Sequence, residues 1–276
     1  MRPIGIFDSG VGGLSVLRSL QTLLPDEPVL YLADQAHVPY GPRPLEEVRQ
    51  FSEQITRYLL GEGAKLVVVA CNTASAAALQ HLRQTFPLVP FVGMEPAVKP
   101  AAEQTRTGAV GVLATPATFQ GALYASVVER FATGVTLLQS TCLGLVGQIE
   151  SGDLDGPITR GILEEALWPM LAKGIDTVVL GCTHYPFVIP LIEEIAGAGV
   201  RVIDPAPAVA RQVARLLDEH GLRAPEGSAP GVVRFATTGD VQGMEAALMR
   251  LIGEEMQVEG VRWVEGEIKP LNHKGH

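Results

Sequence analysis

Nine short apolar runs, separated by helix-like segments, constrain the fold of this chain more than any other feature. They are IGIF (4–7), VLYLA (29–33), LVVVA (66–70), FVGM (91–94), AVGVLA (109–114), VTLL (135–138), TVVLG (177–181), VRVI (200–203) and VVRFA (232–236). Most are continuously apolar rather than alternating, the pattern of strands covered on both faces. Between them, segments such as LEEVRQFSEQITRYLLGEG (45–63) and ITRGILEEALWPMLAKG (158–174) read as helices. Alternating strands and helices imply parallel sheets built from right-handed crossovers. An α/β protein is therefore expected.

The two halves echo one another. IGIFDSG (4–10) opens one series and VGVLATP (110–116) another, and each leads to a strand that ends in a cysteine: VVVACNTAS (67–75) and VVLGCTHYP (178–186). The echo predicts two pseudo-symmetric α/β domains with parallel-type sheets and the active site in the cleft between them. Sheets of this kind place ligands beyond the carboxyl ends of their strands. Prolines in EPAVKP (95–100) mark a crossing, and DPAPAV (204–209) marks the return. The expected division is 1–97 plus 206–276 for the first domain and 98–205 for the second.

Composition removes several function classes. With 47% hydrophobic and 18% charged residues, the 276-residue chain is globular and can bury a substantial core. A net charge of −9 with scattered Lys and Arg argues against a nucleic-acid surface. No apolar run approaches the roughly 20 residues of a membrane span, and no signal-peptide pattern opens the chain. The 3 cysteines, Cys71, Cys142 and Cys182, are too few and too scattered for a disulfide framework, so a cytoplasmic location is expected.

IGIFDSGVGGLSV (4–16) is a strand, a glycine-rich turn and a helix start. Its Gly10-x-Gly12-x-x-Ser15 spacing approaches the dinucleotide fingerprint, and Asp34 ends the next strand where a ribose-binding carboxylate would lie. Asp8 argues the other way, because its charge would oppose a pyrophosphate. The favoured reading is that backbone amides approach a small anion at the helix N-terminus, with Ser9 adding a hydroxyl.

A single cysteine closing an apolar strand is ordinary core filler. Two of them, each followed by hydrogen-bonding residues (Asn72 and Thr73; Thr183 and His184) and a helix start, suggest chemistry. A metal would want more ligands than Cys182 and His184 supply, and no metal is expected. A redox pair lacks the usual adjacent motif, and covalent catalysis by one cysteine leaves the other unexplained. Two-base proton transfer uses both: one thiol removes a proton from one face of a stereocentre while the other delivers one to the opposite face. A free thiol is only about 3% ionised at pH 7, and a helix N-terminus lowers its pKa by under about one unit. Neighbours must help, and Asp8, Glu150 and His184 are available.

These residues resemble the glutamate racemases of the aspartate/glutamate racemase superfamily. The resemblance rests on GIFDSGVGGLSV (5–16), HVPYG (37–41), ACNTAS (70–75) and GCTHYP (181–186), which span the first two-thirds of the chain. It implies Cys71 and Cys182 as the acid/base thiols, Cys182 acting on L-glutamate and Cys71 on D-glutamate, with Asp8 assisting Cys71 and His184 assisting Cys182. It implies substrate contacts from Asp8, Ser9, Tyr40, Gly41, Asn72, Thr73, Thr115, Thr183 and His184, with Asp34 and Glu150 in support. No cofactor is implied, and none of the chain's lysines lies in a pyridoxal motif. The resemblance further implies a homodimer and D-glutamate supply for peptidoglycan; with the first strand starting at residue 4, the N-terminal regulatory extension of some members is not expected. TCLGLVGQIE (141–150) departs from the family in lacking a proline after Cys142, which itself reads as structural. Segment 256–276 offers no recognisable pattern. A racemase for another amino acid or hydantoin, and a non-catalytic nucleotide- or amino-acid-binding module, are the rival readings.

Overall fold

A computed structural model of the chain describes residues 1–225 and 227–271. The expected first domain and the 256–276 segment therefore end in residues, 272–276, that lie outside the described ones. The elements, in order, are β1 (Ile4–Asp8), α1 (Leu14–Leu23), β2 (Val29–Ala33), α2 (Leu45–Gly61), β3 (Leu66–Val69), α3 (Asn72–Thr85), β4 (Phe91–Gly93) and α4 (Val98–Gln104). Then come β5 (Ala109–Ala114), α5 (Pro116–Gln120), α6 (Ala122–Phe131), β6 (Thr136–Ser140), α7 (Leu145–Ser151), α8 (Pro157–Leu171) and β7 (Thr177–Gly181). The chain closes with α9 (Ile189–Ala196), β8 (Arg201–Ile203), α10 (Ala206–Glu219), β9 (Val233–Thr237), α11 (Val241–Ile252), β10 (Val258–Val264) and β11 (Glu267–Pro270).

The strands form two sheets, ordered β11-β10-β9-β2-β1-β3-β4 and β6-β5-β7-β8. Every pairing is parallel except β10 with β11. β1, β2 and β3 are buried along their whole length, which is why their sequences are apolar without alternation. Their side chains divide by the two-residue period of a strand. Val29, Tyr31 and Ala33 pack with Ile4, Ile6 and the helices α1, α10 and α11 on one face. Leu30 and Leu32 pack with Phe7 and the helices α2 and α3 on the other. The smaller sheet repeats the arrangement, with α7, α8 and α9 over one face and α4 and α6 over the other. Each fully buried Val, Leu or Ile side chain stabilises this core by about 1.5–3 kcal/mol.

Two features differ from the sequence expectation. The segment from 256 onward contains a hairpin that extends the larger sheet. Its turn residues Glu265 and Gly266 have φ of 51° and 81°, the paired left-handed geometry of a two-residue hairpin turn. After Cys182, no α-helix begins at once: a 3₁₀ turn over Tyr185–Val188 precedes α9. Pro190 has no N–H to bond the carbonyl four residues earlier, so one continuous helix from Thr183 would be interrupted there.

Candidate active site

The carboxyl ends of β1, β3, β5 and β7 converge on a small cavity of about 20 Å³. Ser9, Pro39, Tyr40, Gly41, Cys71, Asn72 and Thr73 line it from the larger sheet's side, and Thr115, Val146, Cys182, Thr183 and His184 from the smaller.

Cys71 is the N-cap of α3, and its sulfur accepts the Ala74 N–H at 3.5 Å. The cap alone would favour a thiolate. Burial outweighs it, and with the negative charge of Asp8 pushes the Cys71 thiol well above its ordinary value. Asp8, the last residue of β1, lies behind the cavity rather than on its lining. Its Oδ2 accepts N–H bonds from Gly10 at 3.3 Å and Gly13 at 3.0 Å. Burial raises the Asp8 carboxyl above the usual range, a shift that the charge of His184 and the Gly13 N–H only partly offset.

Around Cys182 the charges are reversed. His184 Nδ1 stands 3.8 Å from the Cys182 sulfur, while Nε2 donates to Glu150 Oε1 at 2.6 Å. Burial opposes charge on the ring, but the contacts with Cys182 and Glu150 prevail and hold His184 well above its ordinary value. Burial likewise works against the Glu150 charge, and the His184 bond, the His184 charge and the Val11 N–H together keep that carboxyl below the usual range. The His184 ring is thus clamped between a sulfur and a carboxylate, which favours its protonated form.

The glycine turn takes its meaning from this clamp. Val11 N–H donates to Glu150 Oε1 at 2.9 Å, and a Cβ on Gly10 would collide with the Glu150 carboxylate. A Cβ on Gly12 would land on the His184 ring. Ser15, at the third fingerprint position, lies within 3.0 Å of the Thr183 carbonyl through its hydroxyl. The amides do approach anions, as the sequence suggests, but the anions are the protein's own Asp8 and Glu150. With those N–H groups engaged, a pyrophosphate has no cradle here.

The remaining predicted residues fall into two groups. Thr73 and Thr115 share a hydroxyl bond of 2.8 Å across the two lobes, and Thr118 extends the chain at 2.9 Å. Asp34 does not reach the cavity; its Oδ2 accepts the Tyr40 hydroxyl at 2.6 Å, so Tyr40 offers a ligand its ring and main chain. Asp8 Oδ1 and both amide atoms of Asn72 are the buried side-chain polar atoms without a partner among the described residues. Asn72 lies on the cavity lining and Asp8 behind it, and unpaired buried polar groups are costly enough for the Asn72 amide to mark where a polar ligand would complete the bonding. Sequence reasoning missed Pro39, Val146 and Thr118. Val146 was within reach, being four residues before Glu150 and so on the same face of α7. Cys142 is buried next to Ser140, with its thiol pushed up to about 12 by burial. Among the described residues no group of three or more His, Cys, Asp or Glu is placed to hold a metal, and no helix is long and apolar enough to cross a membrane.

Two parallel α/β lobes with a strand-end cysteine from each sheet in a shared cavity define a class. The chain belongs to the Asp/Glu/hydantoin racemase family, whose model matches residues 4–213. It is accordingly an amino-acid racemase, an isomerase. Within the family its similarity is to the glutamate racemases: it is 52% identical to that of Roseiflexus sp. (strain RS-1), over 91% of this chain and 92% of the relative. Among solved structures, Escherichia coli glutamate racemase in complex with L-glutamate and the activator UDP-MurNAc-Ala matches with a TM-score of 0.83 and 31% identity, covering 96% of this chain and 100% of that one. Francisella tularensis glutamate racemase in complex with D-glutamate matches with a TM-score of 0.82 and 30% identity, covering 95% and 97%.

Proposed function

We propose that this enzyme interconverts L- and D-glutamate by proton transfer between Cys71 and Cys182, without a cofactor or metal. The observation that carries the reading is the pair of cysteines, one from each sheet, on a single cavity where the Asn72 amide lacks a partner. The relatives solved with L-glutamate and with D-glutamate support the choice of substrate.

In the forward direction the Cys182 sulfur, as thiolate beside the His184 imidazolium, takes the α-proton of L-glutamate. The electron pair left at Cα delocalises into the α-carboxylate. The Cys71 thiol then delivers its proton to the opposite face, leaving D-glutamate, a Cys71 thiolate and a Cys182 thiol. D-glutamate follows the same steps backwards. Raising the Cys71 thiol makes it a weaker acid but its thiolate a stronger base, which the D-to-L direction requires. Fixed donors stabilise the developing carboxylate charge: the hydroxyls of Ser9, Thr73, Thr115 and Thr183, the Asn72 amide, and the main chain at Gly41 and His184. The cavity holds no Arg or Lys. Asp8 supports Cys71, Glu150 orients His184, and Asp34 holds Tyr40.

On this reading the enzyme supplies D-glutamate for peptidoglycan in the cytoplasm and acts as a homodimer, which light scattering would test. The lobes correspond to 1–97 with 206–276 and to 98–205, a division supported by the crossings before α4 and at α10. The test is direct. Protein dialysed against chelator and free of pyridoxal should abolish the circular dichroism of L-glutamate and, separately, of D-glutamate. Retention of both signals, with turnover of aspartate instead, would overturn the substrate assignment.

A further inference from the structure

β10 and β11 form a hairpin that the proton transfers above do not use, yet one of its side chains reaches toward the site. Asp34 is fully buried and accepts two hydrogen bonds on each oxygen. Oδ1 accepts from Trp263 Nε1 at 2.8 Å and from the Thr238 hydroxyl at 2.7 Å. Oδ2 accepts from the Tyr40 hydroxyl at 2.6 Å and pairs with His37 Nδ1 at 2.9 Å. These donors come from three separate places: the hairpin, the end of β9, and the loop that leads into the cavity.

That loop is a wall of the site. Its residues Pro39, Tyr40 and Gly41 line the cavity. Gly41 also meets the other lobe: its carbonyl accepts the Ala117 N–H at 3.3 Å, and a Cβ there would sit 3.0 Å from Thr115 Cβ. The hairpin packs on the loop as well as bonding to it. His37 stacks on Phe51 at 3.9 Å, and the Trp263 ring meets His37 edge-on at 5.1 Å.

We propose that the C-terminal hairpin is a positioning element of the substrate cavity, with Trp263 anchoring Asp34 and Asp34 holding Tyr40, so that the Pro39–Gly41 wall stays in place. The physical reason is the cost of a buried carboxylate. Asp34 must keep enough donors to remain where it is, and a lost donor is made good only by rotation or by drawing in another. Either movement releases Tyr40. Because the wall contacts substrate and transition state alike, its displacement weakens binding more than chemistry. Trp263 is therefore a positioning residue, with no part in moving a proton.

The inference rests on the proposed glutamate racemase reading, and two variants test it. Trp263→Phe keeps an aromatic ring against His37 and Phe51 and removes the donor; Thr238→Val removes the other donor to the same oxygen. Each should raise KM for both enantiomers about three- to tenfold while kcat stays within about twofold, as expected for a charged hydrogen bond acting through an intermediary. A purely structural role would lower Tm and leave KM where it was. KM unchanged in both variants, or kcat falling at constant KM, overturns the proposal. Should Trp263→Phe fail to fold, Thr238→Val decides by the same criterion. A wild-type enzyme that binds D-glutamate without racemising it would break the functional reading alone, and the calorimetric Kd of D-glutamate would then carry the same comparison.

Discussion

Cys71 and Cys182 occupy matching places in two similar lobes, each within two residues of the end of a central parallel strand, β3 or β7. Their surroundings do not match. Cys71 sits against a carboxyl group, and burial raises both partners. Cys182 sits against an imidazole whose protonation Glu150 favours from the far side. The fold thus fixes where the two sulfurs stand, and their neighbours fix what each can do. On the proposed two-thiol reading the two groups exchange roles, but they do not need two identical environments.

Thermodynamics limits where that asymmetry can appear. Enantiomers have equal free energies, so the equilibrium constant is unity and kcat/KM must be the same in both directions at every pH. Differences between the walls can show only in kcat and KM taken singly and in isotope effects.

The largest effect is expected from removing either sulfur. Cys71→Ala and Cys182→Ala should each lower racemisation about 10³-fold or more, with far-UV circular dichroism unchanged, because on the proposed two-thiol reading each direction uses both groups. A variant that keeps more than a tenth of the activity would break the symmetry of roles. Asp8→Asn and His184→Gln should follow, each with a loss of about 10²-fold. They should also be told apart by α-deuterated substrates. Weakening the Cys71 wall makes transfer at that wall limiting, so the isotope effect should grow with D-glutamate and shrink with L-glutamate. His184→Gln should do the reverse. The same pattern in both variants would mean that the neighbours do not serve separate walls.

Glu150→Gln should cost about tenfold in kcat/KM, roughly the difference between a charge-assisted and a neutral hydrogen bond. Its pH signature follows from the raised His184 and the lowered Glu150. A raised His contributes stability fully below its unfolded value of about 6.5 and loses it as pH climbs through the folded value. A lowered Glu contributes above about 4.3 and loses it as pH falls through its folded value. The Tm gap between wild type and Glu150→Gln should therefore be widest near pH 6 and narrow on either side. A gap independent of pH would contradict the clamp. The smallest effect is expected at Cys142, which contacts Ser140 and does not line the cavity. Cys142→Ala should leave turnover unchanged and lower stability by about 1 kcal/mol, read by denaturant unfolding.

Much of this was legible in the sequence because burial writes itself into composition. Strands covered on both faces must be apolar throughout, so the nine runs could be read directly, and the strand-end cysteines came with them. The hairpin escaped because VEGVRWV alternates and carries charges, as a strand near a sheet edge does; the Glu265-Gly266 turn was its one local signal. The glycine turn shows a deeper limit. Gly10 and Gly12 are small because Glu150 and His184 press on them from the other lobe. No local reading separates that from room made for a phosphate. Trp263 on Asp34 is likewise a contact between distant segments, invisible to spacing.

The most direct measurement follows deuterium during early racemisation in D₂O, with product and remaining substrate separated on a chiral column. Two thiols on opposite faces predict that D-glutamate formed from L-glutamate carries deuterium at Cα while recovered L-glutamate keeps its proton, and that the reverse direction behaves alike. Product that retains the substrate's own proton would place a single base at both faces and contradict the assignment of Cys71 and Cys182.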